Sequence, residues 1–180
     1  EREGQRWIDR SGDPARSLLT IEEHHNLLAL IAQEMWFTNT ESLKSEILDY
    51  LSDLFIDTYN KDITIGLQIK ERLKQHALLT TIKGEFRFDH EQFKQFYLGK
   101  TFADQIIAKN VIEVRNMLRV GLIPQQTADS ATNLINKQIN IDKLDIIMFL
   151  QNMCKDESPV SFIRENAGIL IAKLINNLFI

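Results

Sequence analysis

At 180 residues, 44% hydrophobic and 26% charged, the chain has the composition of a globular protein and the length for one domain or two small ones. A formal net charge of −4 excludes the overall basic balance of a dedicated nucleic-acid binder and leaves open only a local basic patch. The single cysteine, Cys154, excludes an internal disulfide framework and a cysteine-based zinc cluster.

Cys154 stands in an apolar helical stretch and reads as a small buried hydrophobe, and a reducing, cytoplasmic setting is expected. No apolar run approaches the ~18 residues that span a bilayer, and no signal peptide opens the chain, so no membrane partner is expected. Glu1 stands where a start methionine would, and the end from Leu174 to Ile180 is apolar. Both ends give the expectation of a piece of a longer protein.

With 7 Gly and 3 Pro as punctuation, long helices and short connections are expected. Glu1 to Ser17 reads as a helix end followed by an ordered loop. Thr20-Ile21-Glu22-Glu23 is a capping box, and the helix it starts carries Leu27, Leu28, Ile31, Met35 and Trp36 at helical spacing. After Thr38-Asn39-Thr40, a second helix shows one apolar stripe of Leu43, Ile47, Tyr50, Leu51, Leu54 and Phe55. A third, over about 64–76, places Ile65, Ile69 and Leu73 on one face and Lys70, Arg72 and Lys74 on the other.

The apolar period then changes from near 3.6 to 2. Leu78 to Ile82 and Glu85 to Phe88 are β-prone runs joined by Lys83-Gly84, a hairpin signal because glycine supplies the positive φ of a tight turn. Helix, helix, hairpin is the order of a winged-helix domain. From Gly99 onward the chain reads as helical throughout. Phe102, Ile106 and Ile107 end one helix, and Val111, Val114, Met117 and Leu118 mark the next, stopped by Gly121 and Pro124. Thr127 is expected to cap a helix through Leu134 and Ile135. Leu144, Ile147, Met148 and Leu150 define another, and Ser158-Pro159 is the expected start of the last, which carries Ile163, Ala167, Leu170, Ile171, Leu174 and Ile175. These read as stacked helix pairs with no fixed repeat.

No phosphate-binding Gly-x-x-x-x-Gly-Lys-Ser/Thr loop, no Gly-x-Gly-x-x-Gly and no Gly-x-Ser-x-Gly is present, so no catalytic residue is assigned. No metal site is expected either. His24 and His25 are neighbours on a helix and point about 100° apart, which is poor geometry for one metal, so they read as a solvated or half-buried pair. His76 ends a basic helix and reads as a partner of its C-terminal dipole. Lys70, Arg72, Lys74 and Lys83 are a candidate phosphate-contacting face, interrupted by Glu71 and Glu85. His90 stands at the changeover from strand to helix, where Asp89 can cap the helix with Gln92 as its partner. An imidazole at a helix start lies where anions are favoured, so it can serve as a phosphate contact or as structural packing.

Phe86-Arg87-Phe88-Asp89-His90-Glu91-Gln92-Phe93-Lys94-Gln95-Phe96-Tyr97-Leu98-Gly99-Lys100 resembles the winged-helix signature of NACHT-type STAND signalling NTPases, close to F-x-F-x-H-x-x-F-Q-E-Y/F-x-A. Phe86, Phe88, His90, Phe93 and Phe96 fall on its aromatic and histidine positions. Lys94-Gln95 stand where Gln-Glu is usual, and Gly99 stands near a small alanine. The segment from Leu19 to Trp36 is similar to the helical region that precedes this domain in bacterial members.

The resemblance implies a mostly α fold with three parts. They are a helical segment over 1–39, a winged-helix domain with one β-hairpin over 40–105, and a helical, repeat-like array over 106–180. It implies that His90 contacts the β-phosphate of ADP and holds a closed, inactive state. ADP or ATP with Mg would bind the parent protein, with none held by this piece alone. Implied partners are an upstream NTPase domain and a downstream sensor of the same chain, with oligomerisation on activation and a role in signalling or bacterial defence. The parent would be the ATPase. The alternatives are a winged-helix DNA-binding regulator and a helical protein-interaction scaffold.

Overall fold

A computed structural model describes residues 17–155 and 162–176. The expectations for residues 1–16, for Ser158-Pro159 and for the last four residues lie outside these. In chain order the elements are helix α1 (Ile21–Phe37), strand β1 (Leu43–Lys44), helices α2 (Ser45–Thr58) and α3 (Ile63–Leu73), and strands β2 (Leu79–Ile82) and β3 (Glu85–Phe88). Helices α4 (Glu91–Ile107), α5 (Val111–Leu118), α6 (Gln125–Lys137), α7 (Lys143–Met153) and α8 (Ile163–Asn176) follow. The described chain is mostly helical with one three-stranded antiparallel sheet. It divides into two compact units, Glu1–Met35 with Thr40–Phe93, and Trp36–Asn39 with Lys94–Ile180.

In the first unit the capping box forms as its spacing predicts. Thr20 N–H donates to Glu23 Oε2 at 2.7 Å, and Glu23 N–H donates to Thr20 Oγ1 at 3.1 Å. Burial raises the Glu23 carboxyl, but hydrogen bonds from Lys61 and from Thr20 N–H, together with the Lys61 charge, outweigh it and hold the group below its ordinary value. The helix buries Leu27, Leu28, Ile31 and Met35.

Helix α2 differs from its expected stripe. Leu48, Leu51, Ser52 and Phe55 are buried, whereas Ile47, Tyr50 and Leu54 face solvent. The two apolar rows are adjacent on the helix surface, so periodicity alone cannot say which one meets the core. Leu43 is buried too, but from β1, a strand too short to show a period of 2. Helix α3 is capped by Asp62, whose carboxylate accepts from Ile65 N–H at 2.9 Å, and it buries Ile65, Ile69 and Leu73 as expected. It crosses α2 closely, since a Cβ on Gly66 would stand 3.1 Å from the Ile56 side chain.

The hairpin forms over the expected residues. Lys83 and Gly84 both take positive φ, +52° and +83°, the twist a two-residue hairpin turn requires. Strand order is β1-β3-β2, with Phe86 opposite both Leu43 and Thr81 and Phe88 opposite Leu79. The pleat sends Phe86 and Phe88 to the core and Arg87 to solvent.

In the second unit, α4 buries Tyr97, Leu98, Phe102 and Ile106, and burial pushes the Tyr97 phenol up to about 12. Gly99 lets α4 touch α6, since a Cβ there would stand 2.6 Å from Ser130 Cβ and 2.8 Å from the Thr127 carbonyl. Trp36 donates from Nε1 to the Met117 carbonyl at 2.9 Å and sets its ring edge-on to Phe102. Helix α6 begins earlier than expected. Pro124 stands at its N-cap with extended backbone, so Thr127 lies inside the helix and fully buried rather than capping it. Helix α7 is capped by Asp142 and buries Ile146, Ile147, Leu150 and Met153, leaving the expected core residues Leu144 and Met148 exposed. Cys154 ends that helix half-buried rather than in the core, and burial pushes its thiol up.

Helix α8 packs against α5, α6 and α7 and buries Ile163, Ala167, Leu170 and Leu174, whereas Ile171 of the expected row is half-buried and Ile175 is exposed. From the same face Asn166, fully buried, clamps the loop before α6. Its Oδ1 accepts from Ile123 N–H at 2.9 Å, and its Nδ2 donates to the carbonyls of Leu118 at 2.8 Å and Gly121 at 2.7 Å. Asn166→Ala leaves two buried backbone groups, Ile123 N–H and the Leu118 carbonyl, and the part-buried Gly121 carbonyl without these partners, and is expected to cost roughly 2–4 kcal/mol in urea unfolding. Gly99→Ala should cost roughly 1–3 kcal/mol in the same measurement, because the α4–α6 contact must open.

Candidate functional site

His90 is placed by a strand that cannot slip. Strand β3 is the middle strand, bonded on both sides, and Phe86 and Phe88 point inward, so any one-residue shift would expose both rings. Asp89 N–H then donates to the Leu78 carbonyl at 2.8 Å, which ties the end of β3 to the chain entering β2. His90 follows as the last residue before α4, and its carbonyl accepts from Phe93 N–H at 3.0 Å in the first turn.

The imidazole is 70% exposed, with Nε2 3.3 Å from Asp89 Oδ2 and the ring tilted against Phe93 at a centroid separation of 5.7 Å. An exposed imidazole at a helix start can donate a hydrogen bond to an anion without leaving the protein surface. Of the other signature positions, Phe86 and Phe88 are buried, Phe93 is half-buried and Phe96 is exposed. The first two therefore hold the strand, and the last leaves part of its ring at the surface.

The basic residues of α3 take a different arrangement from a phosphate-contacting face. Lys70 Nζ lies 2.5 Å from Asp53 Oδ1, and Lys74 Nζ lies 2.8 and 2.9 Å from the two oxygens of Asp49. Both ammonium groups are turned onto carboxylates of α2, and Arg72 is half-buried. The outer face of α3 presents Ile63 and Leu67 instead. Lys83 is exposed at the hairpin tip.

The remaining histidines show a contact that sequence spacing does not reveal. His76 is buried, and its Nε2 lies 2.6 Å from Nε2 of His24, fifty-two residues earlier; it is not simply a partner of the α3 dipole. His24 and His25 are both half-buried. Among the described residues, no group of three or more His, Cys, Asp or Glu is placed to hold a metal ion. No described helix is long and apolar enough to cross a membrane.

Compared with protein-family models, with curated proteins and with solved structures, the chain gives no significant match.

Because Lys70 and Lys74 are engaged by Asp53 and Asp49, the chain is expected not to retain duplex DNA in a mobility-shift assay at about 0.15 M salt. Lys70→Ala and Lys74→Ala should each lower stability by no more than about 1 kcal/mol, the range of partly exposed ion pairs.

Proposed function

We propose that this chain is the regulatory winged-helix and helical region of a NACHT-type STAND NTPase, and that His90 reads the nucleotide state of the parent protein. The observation that carries the reading is His90 itself. An exposed imidazole stands at the turn from the sheet's middle strand into α4, inside the run Phe86-x-Phe88-x-His90-x-x-Phe93. The element order α1-β1-α2-α3-β2-β3, with the sheet ordered β1-β3-β2, supports a winged helix as its setting.

In this reading ADP with Mg is held by an NTPase core earlier in the parent chain, and His90 donates to its β-phosphate. The closed state is then favoured by the contacts that ADP makes there and loses in the open state. Exchange for ATP, or capture of a ligand by a sensor later in the chain, frees the winged helix and exposes surfaces for oligomerisation. Signalling or defence in the cytoplasm follows as the role. This chain supplies the sensing contact and not the phosphate-binding loop, so hydrolysis belongs to the parent.

A helical protein-binding scaffold is the second reading. It draws on Ile63 and Leu67 of α3 and Tyr50 and Leu54 of α2, all exposed. The two part on one experiment. In the intact parent protein, His90→Ala should raise the ADP off-rate about tenfold, the worth of one hydrogen bond to a charged group. An off-rate equal to that of the unaltered protein would remove the nucleotide reading and leave the scaffold.

A further inference from the structure

The protons on His24 and His76 are assigned by two hydrogen bonds read together. Leu78 N–H donates to His76 Nδ1 at 2.9 Å, so that nitrogen carries a lone pair and the proton of the neutral ring sits on Nε2. His76 Nε2–H then points at His24 Nε2, 2.6 Å away, which must accept. His24 therefore carries its own proton on Nδ1. The two rings meet through these nitrogens with their planes steeply inclined, at 71°, and their centroids 4.7 Å apart. A shared metal would need both facing nitrogens bare, and the Leu78 hydrogen bond denies that to His76.

We propose that this pair is a proton-sensitive latch, which fastens α1 to the corner between α3 and β2 while both imidazoles are neutral and loosens when either is protonated. A proton added to His24 goes to Nε2 and confronts the Nε2–H of His76. A proton added to His76 goes to Nδ1 and confronts Leu78 N–H. Each breaks one hydrogen bond of the chain Leu78–His76–His24.

The latch joins distant parts of the first unit. His24 lies in the first turns of α1, and the His76 corner is held by its N–H on the Leu73 carbonyl and by Leu79 N–H on its own carbonyl. Among the described residues, the titratable and charged groups on the elements around the pair are Glu22, Glu23 and His25 on α1, Tyr59 and Lys61 after α2, and Glu71, Arg72 and Lys74 at the end of α3. Glu23 is engaged by Lys61, Tyr59 by Asn26, and Lys74 by Asp49. The latch opens in its own pH window. Unfolded histidines take up protons below about 6.5, so the stability it contributes is present above that value and is lost as pH falls through it. The Glu23 pair is lost only in the lower range of carboxylates.

The test is urea unfolding of the chain at pH 7.5 and 5.5, compared with His24→Gln, which keeps an acceptor for His76 but does not titrate. Each histidine locked neutral should lower the folded-to-unfolded ratio by roughly tenfold over this interval. The chain should therefore lose up to about tenfold more than the variant, the other titrating groups cancelling between them. Equal losses would overturn the latch. Long-range nitrogen–proton spectra of the unaltered chain at pH 7.5 decide the matter even if the variant fails to fold. Protons on Nδ1 of His24 and Nε2 of His76 are expected. A charged ring, or protons on both Nδ1 atoms with the facing nitrogens bare, would overturn it.

Discussion

The first unit depends on the double pairing of β3. A four-residue strand bonded on both edges has no freedom of register once Phe86 and Phe88 are packed inward, because a slip by one would turn both rings to water and Arg87 to the core. Everything on either side inherits that register. The hairpin turn must fall on Lys83 and Gly84, β1 must meet Phe86 through Leu43, and the chain must leave β3 at Asp89. His90 has its place at the head of α4 because the strand before it has no other.

Around that strand, charges are spent on fixing helices to one another. Lys70 and Lys74 bridge to Asp53 and Asp49 along the seam where Gly66 meets Ile56, so that α2 and α3 are joined by close packing below and by ion pairs above. The faces left outward are correspondingly apolar, with Ile63 and Leu67 on one helix and Tyr50 and Leu54 on the other. A helix pair built this way offers a partner hydrophobic contact more readily than it offers phosphates a counter-charge.

The second unit is organised about α8, and its most constrained point is polar. Asn166 stands among aliphatic residues and satisfies one N–H and two carbonyls of the loop from Leu118 to Ile123, groups that would otherwise be buried at a cost. Such a residue orients a loop where an apolar side chain could only fill space. Gly99 plays the complementary part, since the absence of its side chain is what α6 packs against.

Features governed by neighbours in the chain were legible in the sequence. The Thr20–Glu23 capping box, the Lys83-Gly84 turn, the alternation of Phe86 and Phe88, the buried row of α3, and most of the rows expected on α1 and α8 each depend on spacing within a few residues. So did the position of His90 between strand and helix. Tertiary structure alone decided which of two adjacent apolar rows on α2 is buried, that Leu144 and Met148 face outward, that Thr127 is core and not cap, and that Lys70 and Lys74 turn inward to carboxylates. It alone joined His24 to His76 and Asn166 to the loop before α6. The physical reason is the same in each case. Periodicity reports that a face is apolar and a cap that a helix starts, but only contacts between residues tens of positions apart determine what covers that face and where a polar group finds its partner.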